Sequence, residues 1–159
     1  MRDISIYLSL STYFSAENLP GFAHWTRVQS QEEQAHAMLI YDFMVERGER
    51  VILRPIEAPP NSFESPLAAI KAAYEQEVIV TGLIQNISRV AKEHKDQELV
   101  SYMNWFVEEQ VQEKAATQAL IYKLNLVGNN KSNLSQMDKE LSTRIFDKPV
   151  ITMDKDNKE

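Results

Sequence analysis

Apolar residues recur at intervals of three and four along most of this chain, the spacing that gives an α-helix one buried stripe. A first such stretch, about residues 1 to 15, carries Ile4, Ile6, Tyr7, Leu8, Leu10, Tyr13 and Phe14. It runs into Glu17-Asn18-Leu19-Pro20-Gly21, which predicts a helix closed by a Pro-Gly turn. A second extends from about Pro20 to Arg47, with Phe22, Trp25, Val28, Leu39, Ile40, Phe43 and Met44 at its apolar positions and Gly48 as its stop. Residues 49–65 break the pattern. Val51-Ile52-Leu53 reads as extended, and Pro55, Pro59 and Pro60 forbid helix. A connection this long between helices suits a crossover that spans a bundle from end to end. Ser65-Pro66 restarts helix, with serine as N-cap and proline at the first helical position. That third helix reaches about His94, and Lys95-Asp96 makes a short turn. A fourth runs from about Gln97 to Val127 and stops at Gly128-Asn129-Asn130. A shorter amphipathic segment, Leu134 to about Phe146, puts Leu134, Met137, Leu141 and Ile145 on one stripe.

The elements predict an all-α four-helix bundle with up-down-down-up order, one long crossover between helices two and three, and a short fifth C-terminal helix. Helices of about 28 residues are about 42 Å long. A single domain is expected over residues 1–146, and the polar residues 147–159 are expected to form a disordered tail.

Composition narrows the chemistry. At 159 residues, 43% hydrophobic and 25% charged, there is ample material for one core. No cysteine is present, which excludes disulfides, thiolate metal sites and cysteine nucleophiles. The formal net charge of -6 disfavours nucleic acid and anionic membrane as partners and favours cations. No apolar run is long enough to span a bilayer, and Met1-Arg2-Asp3-Ile4 does not open a signal peptide, so a cytoplasmic location is expected.

Against this pattern, several polar residues fall on the apolar faces. Glu33-Gln34-Ala35-His36 is a Glu-x-x-His, with both end residues on one side of a helix. Taken alone, that pair is common on solvated surfaces. Glu77 is harder to dismiss, because Ile70 and Ile84 lie two turns either side of it and Val78, Ile79 and Val80 adjoin it. Glu113 has Phe106 and Leu120 at the same offsets, and Gln110 shares its face at i, i+3. A carboxylate or imidazole on such a face is costly unless something pairs with it. Carboxylates and one histidine from three helices suit a pair of hard, oxygen-preferring metal ions, which points to iron. Two adjacent cations need bridging carboxylates, and Glu33 and Glu113 are the candidates. Tyr7, on the first helix, is a candidate hydrogen-bond donor or one-electron reductant, weighed against plain core packing. His24 and His94 sit at helix ends and read as structural or solvated. There is no glycine-rich phosphate loop and no Ser/His/Asp arrangement.

The chain resembles the bacterial-type non-haem ferritins over nearly its whole length. The segments that carry the likeness are Tyr7-Leu8-Ser9-Leu10-Ser11, Leu19-Pro20-Gly21-Phe22-Ala23-His24-Trp25, Gln31-Glu32-Glu33-Gln34-Ala35-His36-Ala37, Ile56-Glu57-Ala58-Pro59-Pro60, Tyr74-Glu75-Gln76-Glu77, Trp105-Phe106-Val107-Glu108-Glu109-Gln110 and Leu126-Val127-Gly128. The resemblance implies a ferritin-like bundle whose copies, roughly 24 of them, close into a hollow homo-oligomeric shell, a 24-mer. It implies ferroxidase activity, the oxidation of Fe(II) to Fe(III) by O2 or H2O2 at a di-iron centre within the bundle, and storage of ferric mineral inside the shell. Carried over by position, Glu33 bridges the irons, His36 ligates the first, Glu77 and Glu113 hold the second, and Gln110 lies beside them. Tyr7 and Trp105 match aromatics near the centre. Glu32 and Glu109 match ligands of a nearby third iron site.

Two departures qualify this. Gln112 stands where a further third-site acid is expected, which should weaken that site. The family's first-helix glutamate would fall just ahead of Met1, and Glu17, in the turn after helix one, cannot replace it. Either the true start lies upstream of Met1, or this is a shortened subunit with an incomplete first iron site. Two alternatives therefore stand beside an active ferroxidase. One is a shell subunit with a defective first site that oxidises little iron. The other is a helical interaction protein whose buried acids are satisfied by hydrogen bonds alone.

Overall fold

A computed structural model describes residues 1–151. It contains five helices, α1 (Arg2–Ala16), α2 (Pro20–Glu46), α3 (Pro66–Glu93), α4 (Gln97–Val127) and α5 (Lys131–Leu141), and no strand among the described residues. None of these helices is long and apolar enough to cross a membrane. The residues group into two compact units, one of Met1–Ala69 with Leu124–Pro149, the other chiefly Ile70–Lys123.

In the first unit α1 and α2 pack antiparallel. The register is set by Phe14 stacked on Phe22, centroids 5.0 Å apart. It continues through the Ser11 hydroxyl, which donates to the Ala23 carbonyl at 2.8 Å, and through Tyr7 set edge-on to Trp25 at 6.5 Å. Tyr7, Leu10, Phe14 and Phe22 are fully buried and form the centre of this core. Leaving these apolar surfaces in water would cost about 1.5–3 kcal/mol for each large side chain.

The end of α1 differs from the expected Pro-Gly turn. Asn18 takes the left-handed conformation (φ 58°), the Leu19 N–H reaches back to the Phe14 carbonyl at 2.9 Å, and that pairing ends the helix. Pro20 and Gly21 already lie in the first turn of α2, where a proline loses no hydrogen bond. Gly48 (φ 78°) ends α2 in the same way, with the Glu49 N–H on the Met44 carbonyl at 3.0 Å.

Residues 47–65 form no strand, and Ile52 and Leu53 are exposed rather than paired. The segment instead follows α1 from its start toward its end. Arg2 pairs with Glu57 at 3.5 Å, the Ser9 hydroxyl donates to the Pro60 carbonyl at 2.5 Å, and Tyr13 meets Phe63 at 5.1 Å. The chain is thereby returned to the level where α2 began. There the Ser65 hydroxyl accepts the Ala68 N–H at 3.1 Å and α3 starts at Pro66, as its cap residues require.

The fifth helix departs most from expectation. It begins earlier, because the Asn130 side chain accepts the Asn133 N–H at 3.1 Å. It also ends at Leu141 rather than near Phe146. Ser142 and Thr143 turn their hydroxyls onto the Lys139 and Glu140 carbonyls, a local pairing that competes with further helix. Met137 and Leu141 are buried as the stripe implied, but Ile145 lies beyond the helix and is 84% exposed.

In the second unit α3 and α4 are also antiparallel, tied by the Gln118 amide to the Tyr74 hydroxyl at 2.9 Å and by Gln110 to Glu77. Residues 147–151 have no regular secondary structure, and the rest of the expected disordered tail lies outside the described residues.

Candidate metal centre

In α2, Glu33 and His36 sit one turn apart, 7% and 8% exposed, with the His36 Nδ1 3.7 Å from a Glu33 carboxylate oxygen. That separation exceeds a good hydrogen bond. The other Glu33 oxygen accepts the Gln29 amide at 3.2 Å. Gln29, itself fully buried, was not anticipated, although its i−4 position relative to Glu33 on the same face was there to be read. It fixes one oxygen of the carboxylate and so helps hold it in a single orientation.

The second unit carries the matching acids. Glu77 is 1% exposed between buried Ile70 and Ile84, and Glu113 is 6% exposed between buried Phe106 and Leu120, as their spacing implied. Glu75 faces solvent. Val78 and Ile79, however, are exposed, because one and two steps of 100° carry them away from the buried stripe on which Glu77 lies. They do not dry its surroundings.

The buried Gln110 amide donates to the Glu77 carboxylate at 3.1 Å and lies 3.3 Å from the Glu77 carbonyl and 3.4 Å from the Thr81 hydroxyl. Thr81 in turn donates to the Glu77 carbonyl at 2.7 Å. Gln110 is a neutral amide: it orients the carboxylate without offsetting its charge. Thr117, fully buried, donates to the Glu113 carbonyl at 3.0 Å and fills the next turn of the same face. Carboxylates this deeply buried are costly unless a cation or several donors meet them.

The ferritin-like domain family matches residues 3–127. Bacterial non-heme ferritins of Staphylococcus aureus (strain MRSA252) and Staphylococcus haemolyticus (strain JCSC1435) are each 36% identical over 141 residues, 89% of this chain and 85% of theirs. The chain belongs to the ferritin family. Among solved structures, an open-pore ferritin of the hyperthermophilic archaeon Archaeoglobus fulgidus is 44% identical, with a TM-score of 0.90 over 91% of this chain and 89% of that one. An engineered closed form of the same archaeal ferritin gives 43% and 0.90, over 92% of this chain and 89% of that one. The fold is therefore the ferritin-like four-helix bundle with one long crossover and a short fifth helix, as the helix pattern implied.

The remaining candidates of this ferritin chain fall in different places. Tyr7 is fully buried beside Trp25. Trp105 packs edge-on against Phe106 at 4.9 Å. Glu109 is half-buried on α4. Glu32 is ion-paired with Arg144, a residue 112 positions away that no local pattern connects to it.

Proposed function

We propose that this protein stores iron, binding Fe(II) within the bundle, oxidising it to Fe(III) and depositing the product as mineral inside an oligomeric shell. The observation that carries the reading is the burial of Glu33, His36, Glu77 and Glu113 on apolar helix faces in a chain of the ferritin family. In this reading Glu33 and His36 on α2 and Glu113 on α4 would be iron ligands, with Glu33 and Glu113 as the bridging carboxylates of a di-iron centre. Glu77 completes the second position and Gln110 orients it. Glu109 is the outer acid on α4. Hard carboxylate oxygens with one imidazole suit iron and stabilise the higher charge of Fe(III) over Fe(II). Each Fe(II) gives one electron to O2 or H2O2, and Tyr7 is the aromatic of the first helix that stands by as a donor. One functional domain over residues 1–146, acting in the cytoplasm as a homo-oligomer near a 24-mer, belongs to the same reading. Exposed large apolar side chains such as Leu83, Tyr122 and Leu126 favour burial between copies.

The test is iron oxidation by the purified full chain, followed as the absorbance of the ferric product under air, with light scattering on the same sample. Oxidation faster than in protein-free buffer, lost in Glu33→Gln, together with a mass many times 18.3 kDa, is the expected result. Oxidation at the buffer rate would reject the ferroxidase, and a monodisperse monomer would reject the shell.

A further inference from the structure

Arg144 follows α5 and reaches α2 in three ways at once. Its carbonyl lies 2.7 Å from the His24 Nε2, its guanidinium carbon sits 4.4 Å from the Trp25 ring centroid, and its Nη2 pairs with the Glu32 carboxylate. The side chains of Arg144 and Glu32 are 22% and 14% exposed, so solvent and salt screen the pair less than an ordinary surface bridge. The second terminal nitrogen, Nη1, is buried with no hydrogen-bond partner among the described residues, which leaves Glu32 as the anion that holds this cation. A planar guanidinium lying on an indole and bound to a carboxylate is a position lysine or metal fills poorly.

Glu32 adjoins Glu33, so the state of its carboxylate bears directly on how many cations this part of α2 attracts. A carboxylate engaged by a guanidinium has lost an oxygen to it, and a divalent ion arriving there would meet a fixed like charge. We propose that Arg144 is a built-in cation that withholds Glu32 from metal, and so limits each subunit to the ions held by the Glu33 and His36 set. This rests on the reading that Glu33 and His36 bind metal. Arg144 is a specificity-determining residue in this scheme, acting through Glu32 on the number of ions and not on the reacting iron. It also gives the half-buried Glu32 a role that needs no third ion.

The experiment counts Zn(II) bound per subunit of the metal-free full chain, by equilibrium dialysis with elemental analysis. Arg144→Met keeps the apolar stem on Trp25 and removes the charge, and is expected to bind one further Zn(II) per subunit. Adding Glu32→Gln to that variant should remove the gain, and Arg144→Lys, which keeps a cation without the planar stack, should gain less than Arg144→Met. Glu32→Gln alone should leave the count unchanged. An unchanged count in Arg144→Met with wild-type circular dichroism overturns the proposal, as does a gain that survives Glu32→Gln. If Arg144→Met does not fold, the single Glu32→Gln variant decides, because loss of an ion there would make Glu32 a ligand after all. A wild-type chain that binds no Zn(II) rejects the functional reading instead, a result scored separately from the increment.

Discussion

The Asp138 carboxylate on α5 accepts the backbone N–H of Phe22, in the first turn of α2, at 2.9 Å. A side chain from a helix more than a hundred residues later thus satisfies one of the orphan donors of α2, whose own N-cap, Leu19, makes no side-chain cap. The contact needs Gly21: a Cβ built there would lie 1.6 Å from the Asp138 carbonyl oxygen and 2.5 Å from its carbon. Both obstructing atoms are backbone and cannot rotate aside.

Gly21→Ala should therefore push α5 off the start of α2. The expected loss is about 1–3 kcal/mol of stability, the scale of overpacking in a well-filled interior. Denaturant unfolding measures the loss, and faster amide exchange confined to α5 and the first turn of α2 locates it. Asp138→Ala should cost about 0.5–2 kcal/mol by removing the cap alone, leaving the helix seated.

Glu77→Ala should harm function more than folding. It removes a buried carboxylate that accepts from the neutral Gln110 amide, and Gln110 keeps the Glu77 backbone carbonyl within reach. The metal-free melting temperature is expected to stay level or rise, since an apolar replacement of a buried charge is often neutral or stabilising. Iron oxidation should slow by at least ~10-fold, the lower end of what losing a supporting metal-site group costs. A metal-free protein weakened by several kcal/mol would mark Glu77 as a structural acid.

His36→Ala addresses the only imidazole in the proposed centre. Zn(II) affinity, read by calorimetry on metal-free protein, should fall by more than the ~10–100-fold that loss of a group supporting a ligand costs. Gln29→Ala, which frees one Glu33 oxygen from its amide, should fall within that smaller range. Equal affinities for wild type and His36→Ala would remove the histidine from the ligand set.

Tyr13 supplies a pH dependence. Burial, and after it the nearby Glu17 charge, raises the Tyr13 hydroxyl above its ordinary value of 10.0. The unfolded chain therefore loses this proton first. The contribution to stability is fully present below about pH 10 and is lost as pH rises through the folded value. Tyr13→Phe should flatten the alkaline side of a stability-against-pH profile and leave neutral pH largely unaffected.

What the amino-acid order determined by itself is local. The period of apolar positions set α1 to α4 within a residue or two, because a long helix must bury one stripe whatever it packs against. Ser65-Pro66 and Gly48 set their boundaries through backbone preferences that need no distant partner. The burial of Glu77 and Glu113 was legible for the same reason: residues seven apart share a face, and their neighbours at that offset are apolar. The end of α5, the exposure of Ile145 and the cap on α2 were not legible. Each depends on which surface α5 meets, and an 11-residue helix has too few turns for its own stripe to dictate that. Only the tertiary structure decided that Asp138 faces Phe22 across Gly21 and that Arg144 faces Glu32 across Trp25. A charge finds its partner by distance in space, and distance along the chain carries no trace of it.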